Sequence, residues 1–74
     1  MSDFHSQIGK RIRYLREKKG FTSQELAIML DVEVELIDKF ESGTIKLFVE
    51  HLSKMAILFN VTTDYIVYGI ESRV

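Results

Sequence analysis

The sequence predicts an all-α fold of five short helices, on three observations. Apolar residues recur at helical spacing along most of the chain, proline is absent, and a glycine or a capping residue stands where each periodic segment stops. Strand-like composition is confined to Val32-Glu33-Val34 and Ile66-Val67-Tyr68, and neither stretch has an obvious partner. With no internal repeat and no linker, residues 1–74 are expected to form a single helix-turn-helix domain with its core over about residues 7–69.

Taken in order, Phe4, Ile8, Ile12 and Leu15 make one apolar stripe on a first helix, which ends where Gly20 can adopt the left-handed conformation. Arg11 and Arg16 flank that stripe, and Lys10, Arg13 and Glu17 lie opposite it. Thr22 before Ser23-Gln24-Glu25 is a capping box: the hydroxyl accepts from the new helix's backbone and Glu25 reaches back. The second helix runs from Ser23 to about Leu30, with Leu26, Ala27 and Leu30 facing inward. Asp31-Val32-Glu33 breaks the pattern for a tight turn, with Val32 as an apolar plug. A third helix is expected from about Val34 to Ser42, stopped by Gly43, with Leu36, Ile37 and Phe40 on its buried side. Thr44 is the expected cap of a fourth helix that turns Leu52, Met55, Ala56 and Phe59 inward and ends near Asn60. Thr62 caps a fifth, containing Tyr65 and Ile66, before Gly69.

The formal net charge of -1 conceals a division. Lys10, Arg11, Arg13, Arg16, Lys18 and Lys19 face only Glu17 in their segment. Glu25, Asp31, Glu33, Glu35, Asp38 and Glu41 face only Lys39 in theirs. A near-neutral total argues weakly against nucleic acid, but a local basic stripe can still meet phosphate. The absence of cysteine excludes a disulfide framework, a thiolate nucleophile and a cysteine-based zinc site. Met1 to Ser6 is polar, unlike a signal peptide, and the longest apolar runs, such as Ala56-Ile57-Leu58-Phe59, are too short to span a bilayer. A soluble cytoplasmic protein without a membrane partner is expected. His5 and His51 stand alone, and no Gly-rich phosphate loop, Ser-His-Asp set or carboxylate pair is visible. No catalytic residue, metal, cofactor or small-molecule ligand is therefore expected, and the chain does not read as an enzyme.

The segment Phe21-Thr22-Ser23-Gln24-Glu25-Leu26-Ala27, then Leu30-Asp31-Val32, then Ile37-Asp38-Lys39-Phe40-Glu41-Ser42-Gly43 resembles the Cro/C1-type (XRE) helix-turn-helix family of phage and bacterial regulators. Leu52-Ser53-Lys54-Met55-Ala56, Asn60-Val61-Thr62 and Asp64-Tyr65-Ile66-Val67-Tyr68-Gly69 resemble that family's closing helices, so the likeness covers roughly residues 7–69. The resemblance implies a five-helix lambda-repressor-like fold and a small DNA-binding transcriptional regulator. In that fold the second helix crosses the DNA backbone and the third lies in the major groove. It places Thr22, Ser23 and Gln24 at the backbone-contacting start of the second helix, Val34, Glu35 and Lys39 at base-reading positions, and Lys46 in a phosphate-contacting loop. It also implies that Arg16 and Glu41 pair structurally, tying the first helix to the third.

Two departures stand out. The third helix of relatives presents donors outward, whereas here the outward arc carries Glu35 and Asp38 beside Lys39, with Glu33 in the preceding turn. The usual Pro-Ser start of the fourth helix is replaced by Leu47-Phe48. These departures support an alternative: a protein-interaction module, such as an antirepressor that covers another regulator's DNA-binding face. Its surface would use Val34, Leu36, Leu47 and Phe48 with an acidic rim. Under the DNA-binding reading the partner is duplex DNA and the protein is a homodimer. The dimer contacts would come from the last helices and tail: Ile66, Tyr68, Ile70 or Val74.

Overall fold

In the computed structural model, which describes residues 3–70, the chain folds into α1 (Phe4–Lys19), α2 (Ser23–Leu30), α3 (Val34–Ser42), α4 (Val49–Phe59) and α5 (Thr63–Tyr68). No strand occurs among the described residues; the strand-like stretches lie around the α2–α3 turn and within α5. The caps act as the sequence predicts at two starts. The Thr22 hydroxyl accepts from the Glu25 N–H at 3.0 Å, and the Thr22 N–H donates to the Glu25 carboxylate at 2.8 Å. The Thr62 hydroxyl accepts from the Tyr65 N–H at 3.0 Å. Asp31 closes α2 in the left-handed conformation with φ 59°, which short polar side chains tolerate better than most.

At the fourth helix the expectation fails. Thr44 does not cap α4, which begins at Val49 with Phe48 in the capping position and no side-chain cap. Instead the Thr44 N–H donates to the Lys39 carbonyl at 3.0 Å, and its hydroxyl meets that of Ser42 at 2.7 Å. Once Gly43 turns left-handed, the next N–H is drawn back to close α3, so Thr44 ends one helix and cannot start another. The following segment is pinned by alternation: Ile45 and Leu47 pack against the core while Lys46 and Phe48 remain exposed.

The core draws on every helix, from Ile8, Ile12 and Leu15 of α1 to Ile66 of α5. Phe4, at the head of the predicted stripe, is instead largely exposed, with its ring 6.3 Å from that of Tyr68. Leu36 and Leu52 are only half-buried. The closest approach is between α1 and α3. A Cβ on Gly9 would overlap the carbonyl oxygens of Phe40 and Glu41, and one on Gly43 would lie 2.6 Å from the Ser6 Cα. Glycine at position 9 therefore lets the α1 backbone lie directly on the end of α3. At the other side of the bundle the Arg11 guanidinium donates to the carbonyls of Ile66 (3.1 Å) and Val67 (3.0 Å), binding the end of α5 to α1.

Candidate nucleic-acid interface

α3 has an inner side fixed by several independent contacts. Ile37 and Phe40 are buried in the core, and Glu41 is gripped bidentately by Arg16, at 2.6 Å from Nε and 3.1 Å from Nη2. Nη1 of the same guanidinium donates to the Phe21 carbonyl at 2.9 Å. One side chain thus joins α1, the approach to α2, and α3. The hydrogen bonds that Arg16 donates to Glu41 hold the Arg16 pKa above its ordinary value, against the opposing pull of burial; the charges of Glu41, Glu17 and Asp38 add to the rise. Two charges withdrawn from water this far hold each other only in good geometry, so the pair sets the orientation of α3 relative to α1.

The outer side is open. Glu33, Glu35, Asp38, Lys39 and Ser42 are all exposed. Among the described residues no ion pair joins Glu35 to Lys39, and Glu33 makes no side-chain cap although it occupies the capping position. Val34 is half-buried and packs against the core, so the first turn of α3 presents Glu35 rather than an apolar surface. At the start of α2, Thr22 and Gln24 are exposed and Ser23 is half-exposed. The Thr22 oxygen is occupied by the Glu25 N–H, but its own proton remains free to donate. The N–H groups of Ser23 and Gln24 precede the first backbone bond of α2, from Leu26 to Thr22, and point out of the helix end. Lys46 lies on the exposed side of the pinned loop between α3 and α4.

The residues expected for protein contact are scattered. Ile66 is fully buried (0 % exposed) and cannot serve as an exposed dimer or partner contact, because its side chain lies in the hydrophobic core. Leu36 and Leu47 also pack against the core. Phe48 (54 % exposed), Tyr68 and Ile70 are the exposed ones, and Val74 lies outside the described residues. His51 is buried between the rings of Phe40 and Phe48, at centroid distances of 5.6 and 5.8 Å, with no hydrogen-bond partner for Nδ1 among the described residues. Sequence spacing missed the Arg11 clamp, and it left His51 open between a structural and a solvent-exposed position, of which the structure has the first. The one available signal for His51 was its position one turn before Met55 on the inward side of α4.

Among the described residues no cluster of His, Asp or Glu is arranged to hold a metal ion, and no helix is long and apolar enough to cross a membrane. The geometry is that of a short capped helix and a second helix joined by a tight turn, with the second helix's outer side uncovered. Residues 12–66 match the helix-turn-helix family model, and the chain belongs to that family, in its Cro/C1-type branch. It is 35% identical over 66 residues to an HTH-type transcriptional regulator of Rickettsia conorii, covering 89% of this chain and 53% of that protein. It is 32% identical over 59 residues to the HTH-type transcriptional regulator ImmR of Bacillus subtilis, covering 80% of this chain and 46% of ImmR. The chain thus spans about half the length of these curated relatives. Its fold resembles that of the P22 c2 repressor in complex with a synthetic operator, with a TM-score of 0.80, 25% identity, and coverage of 85% of this chain and 96% of that one.

Proposed function

We propose that this protein is a DNA-binding transcriptional regulator that lays α3 in the major groove. The carrying observation is the asymmetry of α3: its inner side is locked through Arg16–Glu41, Ile37 and Phe40, and its outer side is left exposed by all the described residues. A base-reading helix needs both properties, because discrimination requires a fixed donor and acceptor geometry and an unobstructed approach. The start of α2 supports the same reading. The free N–H groups of Ser23 and Gln24, with the Thr22 hydroxyl, suit a phosphate at the positive end of the helix, and Lys46 suits a second phosphate. Glu35 and Lys39 would then face the base edges, with Val34, partly turned into the core, at their border.

A homodimer is part of the proposal, with the exposed rings of Phe4 and Tyr68 and the side chain of Ile70 as its contact surface. The competing reading is that the acidic outer side of α3 captures another regulator's basic surface. It retains only Phe48 of its proposed apolar anchors, since Val34, Leu36 and Leu47 are engaged with the core.

Sedimentation of the protein alone and with duplex DNA from its gene's flanking region tests both readings. The proposal expects a dimer that binds duplex, with affinity falling steeply as salt rises and with the salt slope reduced by about one in Lys46→Ala. A protein without duplex affinity at low salt, which nevertheless binds a neighbouring regulator and loses that binding in Phe48→Ala, would replace it with the capture reading.

A further inference from the structure

The departure of α3 from a donor-rich surface has a chemical consequence for the base it reads. This inference rests on the DNA-binding reading of α3 and goes one step further. Glu35 lies in the first turn of α3, where a helix in the major groove meets base edges. Lys39 follows one helical turn later, so the two heads are neighbours on the same side, yet they form no ion pair and both remain exposed. The remaining polar groups nearby are committed or differently placed. The Ser42 hydroxyl donates to the Lys39 carbonyl at 3.2 Å and meets the Thr44 hydroxyl, while Asp38 lies close enough to Arg16 to contribute to its charge balance. What α3 offers a base pair is one acceptor-only head beside one donor-only head.

Only some base pairs accommodate that. A carboxylate has no proton to give, so it is repelled by guanine N7 and O6 and by thymine O4, and it is attracted only to the amino groups of cytosine and adenine. Adenine N6 sits between two acceptors, its own N7 and the partner thymine O4, so a carboxylate on N6 meets lone pairs on either side. Cytosine N4 has an acceptor on one side only, the guanine O6 of the same pair, and that is where an adjacent ammonium is wanted. We infer that Glu35 is the specificity-determining residue of this interface. It accepts from cytosine N4 while Lys39 donates to O6 and N7 of the paired guanine, selecting a C·G pair and rejecting A·T.

The test is selection of bound sequences from a pool of randomised duplexes, using wild type, Glu35→Gln and Asp38→Asn, with thermal melts of each variant. The wild type should enrich cytosine at one position of the selected sites by roughly tenfold over the other bases. Glu35→Gln replaces an acceptor with an amide suited to adenine N6 and N7, so the preferred base at that position should change to adenine. Asp38→Asn removes the same charge from the same helix and should strengthen binding without changing the preferred base. Both variants should melt as wild type does. Sites with no cytosine-selecting position, or a cytosine preference that persists in Glu35→Gln, would overturn the assignment while leaving DNA binding intact. Absence of duplex binding by all three proteins would overturn the DNA-binding reading and this inference with it.

Discussion

On its inner side α3 meets a neighbour at every turn, whereas on its outer side Glu33, Glu35 and Asp38 are exposed, with no ion partner among the described residues. Both sides carry carboxylates, so charge alone does not separate them. Glu41 is taken out of water and offset by a guanidinium at 2.6 Å; the outer acids keep their hydration and hold nothing in place. The difference teaches that the acidic character of this helix has two unrelated origins. One carboxylate is an element of architecture, and the others are a surface property that folding tolerates and that ligand recognition has to accommodate.

Substitutions on the two sides should therefore differ in kind as well as in size. The largest effect is expected for Glu41→Ala, which leaves the Arg16 guanidinium buried without its counter-charge. Chemical denaturation should show a loss of about 3–5 kcal/mol. A loss below about 1 kcal/mol would mean that Arg16 finds another partner, and the locked side would be less specific than it looks. Next is Gly9→Ala. In an isolated helix this change is worth about 1 kcal/mol of gain, but here the new methyl would overlap the Phe40 and Glu41 carbonyls. The expected net result is a loss of about 1–3 kcal/mol, and the sign is the sharper test, because a stabilised Gly9→Ala would place α1 farther from α3. The smallest effect is expected for Glu33→Gln on the outer side. Stability should stay within about 0.5 kcal/mol of wild type, while duplex affinity rises as one repelling charge is removed. A marked destabilisation there would show that the outer side also carries architecture.

Most of the helical framework was legible in the chain. The bounds of α2 and α3 follow from Thr22, Asp31 and Gly43 because caps and left-handed closures act within a turn or two of backbone. Thr44 shows the limit of that logic. As a residue type it suits the start of a helix, but the adjacent Gly43 closure had first claim on its N–H. Ile66 shows another limit. In a short terminal helix the pattern leaves open which apolar residues face in, and packing of α5 against the rest of the core decides it. For the candidate interface, Glu35, Lys39 and Lys46 are exposed as a surface site requires; Leu36 packs inward as its helical spacing predicts, whereas Leu47 is drawn into packing that its place in a loop did not reveal.

The sequence by itself determined the helix count, the turn between α2 and α3, and the acidic character of the outer side, since these depend on residue types at short range. The Arg16–Glu41 contact was accessible beforehand only through family resemblance. Tertiary structure alone decided that Gly9 sets the depth of the α1–α3 crossing, that Ile66 is core, and that Leu47 packs inward. Such features depend on residues brought together from distant parts of the chain, where a side chain's partner is chosen by the competition among all the groups that can reach it.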